Sequence, residues 1–595
     1  MIVLGISPNH DSSLCVVKDG KIVSAISRER LSRKKKDRYI TQNMMDYVLK
    51  EAGITIDDVD YVGITYWFEN REDWKNEFEN LRMYIQPEYM WMFDKRFDTN
   101  DNWSSVRTKP NFVEGKGVEM VEDLVLLTPP NTVRPMENVP IKLDIYGRTI
   151  HGWFINHHHA HAASTYYTTN LDRAAIFTMD STEADPYACS LFSYGYKNKL
   201  ETLYYPGVNI AHAYSVFTEL MGLGPGLYKA GTTMGLAPYG KVNPDIIKDI
   251  GKYTKSYWER TEGGDDWRWI YRLFMKTTGK VVTNPHPGAP MSSDNFFDVE
   301  YFKKETSDSQ EAMDAAATIQ YIFEQTVFRF ATELFEETKT INGGNICLAG
   351  GGFLNCTTNG KIEENTPFNT VSPYPGSGDD GLSVGCALYV THNILDIDRV
   401  EKTVPEVVYT GKEYDTPEGG KELDLDFLGS QLQEGKVIAW MQGGSEFGPR
   451  ALGHRSFIAN PCLETTRDYI NFEVKNREWF RPFAPAVCVE NTEEYFDFKG
   501  ESPYMLKICD VISDKIPSVT HVDGTARIQT VKREDNPRYY DLIRSFEKYS
   551  GVPVILNTSL NLAGEPIVET PEDAFNLYNN CIVDILVIND KMWVK

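Results

Sequence analysis

The chain has 595 residues, 41% of them hydrophobic and 25% charged, and 85 acidic against 61 basic side chains leave a formal net charge of −24. That length exceeds what one hydrophobic core supports, so two or more domains are expected. That charge repels a phosphate backbone at long range and disfavours DNA or tRNA as the principal partner.

The start, MIVLGISPNHDSS, lacks the basic and apolar regions of a signal peptide. No apolar run approaches the length of a membrane-spanning helix, so no membrane partner is expected. Nine scattered cysteines without a C-x-x-C pair argue against a disulfide framework or zinc ribbon and for a reducing cytoplasm.

In chain order, the apolar runs predict strands at 2–6, 14–18 and 22–26. Asp19-Gly20 lies between the last two as a hairpin turn. The polar loop between the first two, SPNHDSS, suits contact with a ligand's phosphate. The run SRERLSRKKKDR (27–38) is a basic cluster that reads as a solvated helix face or loop. Residues 66–139 are rich in aromatics, acids and prolines and read as an inserted lobe. Such a lobe suits an acceptor pocket, a packed subdomain or the surface of a homodimer.

Next comes INHHHAHAAS (155–164), with four histidines in five positions. On a helix, His157 and His161 stack one above the other and can enter a common site, while His158 and His159 fall elsewhere. This spacing can grip a divalent metal, but two ligands do not make a site. Asp180 closes an apolar strand at 174–179, where α/β sheets place ligands. An amphipathic helix is predicted over 311–334 and a buried strand over 346–349.

That strand runs into Gly350-Gly351-Gly352, with Asn355 opening a helix, an arrangement able to approach a phosphate or ribose. In PYPGSGDDGLSVGCAL (373–388), Asp379 and Asp380 read as helix caps, or Asp379 as the missing oxygen ligand. No internal repeat of 20–50 residues is visible. A composition break at 396–422 marks a linker. Beyond it, Arg450, Lys475, Arg481 and Arg527 gather near Gly and Pro turns in an otherwise acidic chain, which suggests a polyanionic small ligand.

Taken together, the strings His-Asp-Ser, HHHAHAAS, MGLAPYG, LAGGGFLN, GDDG, EFGPRALGHRS, RPFAP, HVDGTARIQ and NTSLNLAGEPIV occur in order along nearly the whole chain. They resemble the nodulation and antibiotic O-carbamoyltransferases (NodU/CmcH/TobZ type). The resemblance implies an α/β chain with an ASKHA-type (actin-like) transfer domain at 1–400 and an α+β YrdC-like domain at 405–595. The second would make carbamoyl-adenylate from carbamoyl phosphate and Mg2+-bound ATP. The first would pass the carbamoyl group to a hydroxyl of a specialised metabolite such as an antibiotic, toxin or glycoside.

By the same resemblance His157, His161, Asp180 and Asp379 would hold a divalent metal, Fe2+ first among candidates. His10 would be general base on the acceptor hydroxyl. Gly351, Gly352 and Asn355 would meet a nucleotide in the transfer domain. Arg450, Lys475, Arg481, Arg527, Asn557 and Ser559 would hold carbamoyl phosphate and the adenylate.

The chain departs from the family pattern in three places. Asp180-Ser181-Thr182-Glu183-Ala184 replaces D-G-x-G-E, Thr232 replaces a lysine, and Gly444 replaces an arginine, removing a cation near the adenylation site. Competing readings are a tRNA threonylcarbamoyl enzyme, against which the charge speaks, and a carbamoyltransferase onto protein cysteine, which would need C-x-x-C pairs. A third is an inactive nucleotide-binding scaffold.

Overall fold

A computed structural model describes residues 1–65, 81–85, 137–181, 189–262, 269–279 and 309–595. The N-terminal sheet starts with β1 (Ile2–Ser7), β2 (Ser13–Lys18) and β3 (Lys21–Ser27). The expected hairpin is present: Lys18 faces Lys21, with Asp19 (φ 50) and Gly20 (φ 79) in the left-handed region that such turns demand. After α1 (Arg28–Ser32) and α2 (Gln42–Glu51) come β4 (Tyr61–Ile64), β5 (Leu81–Ile85), β6 (Asn138–Ile145) and β7 (Arg148–Ile155). Most of the aromatic-rich lobe lies outside the described residues, while β5 pairs with β6 and widens this sheet.

Helix α3 (His157–Tyr166) leads to a second sheet of β8 (Arg173–Met179), β9 (Ser190–Tyr196) and β10 (Lys199–Tyr204). Helices α4 (Ile210–Leu220), α5 (Gly226–Leu236) and α6 (Gln310–Thr338) follow. The part closes with β11 (Asn345–Ala349), α7 (Cys356–Asn365), β12 (Thr370–Pro373) and α8 (Leu382–Leu388).

The strand orders are β3-β2-β1-β4-β7-β6-β5 and β10-β9-β8-β11-β12. In each, the first strand has an antiparallel hairpin on one side and two parallel neighbours on the other. The two halves therefore repeat one topology at a spacing far longer than a sequence repeat search of 20–50 residues can see. The fold is mixed α/β.

Strand β1 is central and buried on both faces, which explains its unbroken apolar run. Leu4 and Ile6 pack with Met44, Met45 and Val48 of α2, whereas Val3 faces the core that contains Val384 and Ala387 of α8. Helix α8 is held by backbone-to-backbone approach. A methyl group on Gly5 would lie 1.9 Å from the Ser383 carbonyl oxygen, and one on Gly385 would lie 1.8 Å from that of Ala160 in α3. Gly385→Ala should therefore cost about 1–3 kcal/mol, the range for overpacking a tight core. Denaturant unfolding checks this, and an unchanged midpoint would show that the α3–α8 contact yields easily.

The C-terminal part is built on β13 (Lys421–Glu422), α9 (Leu425–Gln433), β14 (Ile438–Met441), β15 (Arg455–Ala459) and β16 (Ala484–Cys488). It continues with β17 (Phe496–Asp497), β18 (Lys507–Val511), β19 (Thr525–Val531) and α10 (Pro537–Ser550). Last come β20 (Val554–Ser559), α11 (Pro571–Asn580), β21 (Ile585–Ile588) and β22 (Lys591–Val594). The strands form one ten-stranded mixed sheet, ordered β13-β22-β21-β14-β15-β20-β16-β19-β18-β17. Amphipathic α9 and α10 cover it with Leu428, Leu432, Leu542, Ile543 and Phe546.

The segment read as a linker is not a free tether. Val407 and Val408 are buried, Ala25 of β3 donates to the Thr410 carbonyl, and Phe447 donates to that of Val408. The two parts also meet through α7 and β18, where a methyl on Gly360 would lie 2.3 Å from the Ile508 carbonyl oxygen. Beside it Asn359 donates to the Leu506 carbonyl at 3.1 Å.

Candidate functional site

The histidine stretch is helical because Asn156 caps it, its Oδ1 accepting from the His158 N–H at 3.0 Å, and because alanines fill the tight positions. His157 and His161 fall on one face with ring centroids 4.6 Å apart. His158 and His159 point away and are hydrogen-bonded in the core, to Thr178 Oγ1 and Thr202 Oγ1, each at 2.7 Å.

Two loops from the ends of parallel strands complete a cluster. Asp180 follows β8, and its Oδ1 is fixed by the Ser181 N–H at 2.6 Å. Asp379 opens the turn before α8 and is 5% exposed. His161 Nε2 lies 3.2 Å from Asp180 Oδ2 and 3.3 Å from Asp379 Oδ1, and His157 Nε2 lies 3.4 and 3.8 Å from the same atoms. The four side chains each offer one ligand atom, all within 4.8 Å of one another. Burial drives the Asp180 carboxyl up, but the hydrogen bonds from both imidazoles outweigh it and hold it well below its usual range. Two imidazoles and two carboxylates are a donor set suited to a first-row divalent metal.

His10, on the β1–β2 loop, borders this cluster, with Nδ1 3.6 Å from Asp379 Oδ2 and 3.5 Å from Asp11 Oδ2. Asn9 Nδ2 donates to Asp379 Oδ2 at 2.5 Å, and Lys36 Nζ to Asp11 at 2.8 Å. The sequence reading did not single out Asn9 or Lys36. Of the glycine loop, Gly351 lies against Asp180, where an added methyl would come 3.0 Å from Oδ1, and Gly352 is buried against Met179. Asn355 is used structurally, its Oδ1 capping α7 through the Thr358 N–H at 3.1 Å and its Nδ2 donating to Gln320 at 2.9 Å.

A second centre is a crevice between the two parts. Arg450, Arg477, Arg481, Arg527 and Ser559 line one wall, and Met234 and Cys356 are on the other. Burial first, then the charges of Arg527 and Arg481, push the Arg450 guanidinium down to about 9. Lys475 is driven well below its usual range by burial and by Arg477, Arg481 and Lys35. Like charges crowded in this way favour an anionic ligand with several oxygens.

Lys475 Nζ donates to the Ser559 carbonyl at 2.6 Å, to Ser559 Oγ at 3.2 Å and to Asn561 Oδ1 at 3.2 Å. Asn557, expected in this site, instead lies wholly buried in the sheet, where its amide holds the Ala451 carbonyl at 3.0 Å and Gln529 at 2.8 Å. Asn561 takes its place beside Lys475 and Ser559. It and Arg477 are among the side chains here that sequence reasoning missed, although K-x-R and S-x-N spacing carried the signal.

The departures also find places. Thr232 Oγ1 accepts from Arg481 Nη1 at 3.2 Å, so the residue standing for a lysine is a partner of the pocket's arginines. Ser181 Oγ accepts from Ser215 at 3.3 Å. Gly444 does not line the crevice: a methyl there would lie 2.2 Å from the Gly411 carbonyl oxygen. Its lack of side chain serves packing against the connecting segment and takes no cation from this pocket.

The basic run 27–38 is a solvated face only in part. Lys34, Lys35 and Arg38 are exposed, but Arg30 is 3% exposed, Arg33 donates to the distant Ile567 carbonyl, and Lys36 holds Asp11. Among the described residues, no helix is long and apolar enough to cross a membrane.

A protein from Synechocystis is 33% identical over 652 aligned positions, covering 100% of this chain and 96% of its own. Nodulation protein NolNO from Sinorhizobium fredii is 28% identical, covering 98% of this chain and 79% of its own. The 3'-hydroxymethylcephem-O-carbamoyltransferase of Amycolatopsis lactamdurans is 35% identical over 42% of this chain and 49% of its own. The family profile described as carbamoyltransferase N-terminus matches residues 2–388, and that described as carbamoyltransferase C-terminus matches 429–595. With both profiles in register over the two parts, this chain belongs to the carbamoyltransferase family and is a transferase enzyme.

Proposed function

We propose that the protein is an ATP-dependent O-carbamoyltransferase that works in two steps at the two centres. In the arginine crevice of the C-terminal, YrdC-like part, carbamoyl phosphate loses phosphate to water and leaves carbamate. A carbamate oxygen then attacks the α-phosphorus of Mg2+-bound ATP, pyrophosphate departs, and carbamoyl-adenylate remains. The cations stabilise charge gathering on the phosphoryl oxygens. At the histidine–aspartate cluster of the ASKHA-type part, an acceptor hydroxyl attacks the carbamoyl carbon. The C–O bond to AMP breaks, and His10 takes the hydroxyl proton.

His157, His161, Asp180 and Asp379 would hold the divalent metal, Fe2+ by preference, which supplies Lewis-acid polarisation at that site. The relatives named for nodulation and cephem carbamoylation favour a specialised-metabolite acceptor. The observation that carries this reading is the separation of an anion-binding crevice from an imidazole–carboxylate cluster in one chain. The experiment is incubation with ATP, carbamoyl phosphate and a panel of hydroxylated metabolites, read by mass spectrometry. Carbamoyl addition that depends on both ATP and carbamoyl phosphate is expected. ATP turnover that ignores carbamoyl phosphate would overturn the reading.

Metal binding should depend on pH. In the metal-free protein burial pulls His161 down, but the hydrogen bonds and charges of Asp180 and Asp379 prevail and raise it from 6.5 to about 9. The imidazolium therefore stabilises the metal-free fold fully below about pH 6.5, and that contribution is lost as pH rises through about 9. A divalent metal has to displace this proton, so its affinity should climb across that window and level off above it. Calorimetric titration with Zn2+ reads the slope, and a flat affinity across the window contradicts the assignment.

A further inference from the structure

Two arginines at one turn reach two loops beside the anion crevice, one leading into its Arg450 and one following its Ser559. Arg30 of α1 is buried and donates Nη2 to the carbonyl oxygens of Glu446 and Gly448, each at 3.0 Å. Arg450, whose side chain lines the crevice, stands two residues further on. Arg33 closes α1 in the left-handed conformation (φ 59) and donates to the carbonyls of Ile567 at 2.6 Å and Pro566 at 2.9 Å. The neighbouring Glu565 carbonyl accepts from Asn561 Nδ2 at 2.7 Å, and Asn561 Oδ1 receives Lys475 Nζ.

Both loops lie outside the sheet ladder, so their geometry is not set by strand pairing. Each guanidinium offers a rigid fork that fixes two carbonyls relative to one another. Three non-glycine residues of this short stretch, Arg33, Lys36 and Tyr39, have positive φ (59, 53 and 75). Strain of this kind persists only where the surroundings over-determine it, and it gathers at functional positions. The same stretch reaches the other centre, since Lys36 Nζ holds Asp11 beside His10.

We infer that α1 and Arg33 form a clamp through which the N-terminal part preorganises the anion crevice of the C-terminal part. Arg30 is the positioning residue for Arg450, and Arg33 for the Lys475–Ser559–Asn561 cluster. The C-terminal sheet alone leaves both loops without their donors. The inference rests on the adenylation reading only for what the crevice is used for, not for what anion it binds.

The test uses the full chain carrying Arg30→Met, Arg33→Met, both together, and Arg30→Lys. Inorganic pyrophosphate affinity is measured by calorimetry, pyrophosphate–ATP exchange with carbamoyl phosphate gives KM and kcat, and thermal melting reports stability. The double variant should bind pyrophosphate at least about tenfold more weakly, because a factor of ten corresponds to one charge-assisted contact misplaced. Its exchange KM for pyrophosphate should rise in step while kcat falls less, and Arg30→Lys should recover part of both.

A variant that melts earlier but binds pyrophosphate like wild type would show simple interface glue and overturn the inference. Wild-type protein that binds no pyrophosphate overturns it too. Should the double variant not fold, the single variants and Arg30→Lys make the same comparison, and unchanged affinity in all three overturns it. Wild-type protein that binds pyrophosphate yet shows no exchange counts against the adenylation reading, and the binding comparison still decides the clamp.

Discussion

Replacing His161 by alanine should remove bound divalent metal and abolish carbamoyl transfer, while carbamoyl-phosphate-dependent pyrophosphate–ATP exchange continues. His161 is wholly buried and touches both carboxylates of the cluster, at 3.2 and 3.3 Å. Its loss removes a ligand atom and leaves Asp180 and Asp379 facing one another without the cation that offsets their repulsion. Metal affinity should fall by on the order of 10²-fold or more, since even the outer partners of metal ligands are worth 10–100-fold.

In the metal-free protein, breaking a buried ionic cluster in this way should cost about 3–5 kcal/mol of stability. Melting with and without metal therefore accompanies the elemental analysis. His157→Ala should act in the same direction, more mildly for stability, because His157 is 16% exposed and its contacts are longer. Equal metal content in wild type and the His157→Ala/His161→Ala double variant would sink the metal assignment. Loss of exchange in a folded single variant would instead sink the division of labour between the two centres.

The second large effect is expected in the crevice. Arg450→Ala and Arg527→Ala should each stop adenylate formation, at a cost of about 2–4 kcal/mol in the transition state for one lost charge-assisted phosphate contact. That corresponds to a fall in exchange rate of roughly 30- to 1,000-fold. The folded state should tolerate these changes. In the crevice the two guanidinium groups repel one another, and among the described residues Arg450 donates one weak hydrogen bond, to the Leu354 carbonyl at 3.4 Å. Removing one such charge relieves repulsion, so the melting temperature should hold or rise as activity falls, the pattern of a site strained for function. Isotope exchange between pyrophosphate and ATP, with carbamoyl phosphate present, measures the rate. Unchanged exchange in both variants refutes the assignment of the crevice.

The amino-acid sequence by itself determined the local elements whose causes are local. Asp19-Gly20 fixed a two-residue hairpin because that pair accepts positive φ cheaply. The i, i+4 spacing put His157 and His161 on one face once Asn156 capped the helix. The collection of cations in the last third was plain from composition, and the ordered motifs carried the family.

Tertiary structure decided what had to be assembled from distant pieces. Asp180, after β8, and Asp379, after β12, meet the histidines only because β8, β11 and β12 run parallel in one sheet and α8 is seated against α3 without a side chain at Gly385. Nothing in the spacing of those residues contains that contact. Asn557 lies inside β20 and Asn561 two residues beyond its end, and the sequence does not mark where the strand stops. The sheet buries the first under Ala451 and leaves the second beside Lys475. The basic run looked like solvated surface because charge runs usually are. The burial of Arg30 depends on carbonyls more than 400 positions away, and such partners become visible only when long-range packing supplies the hydrogen bonds that make a buried guanidinium tolerable.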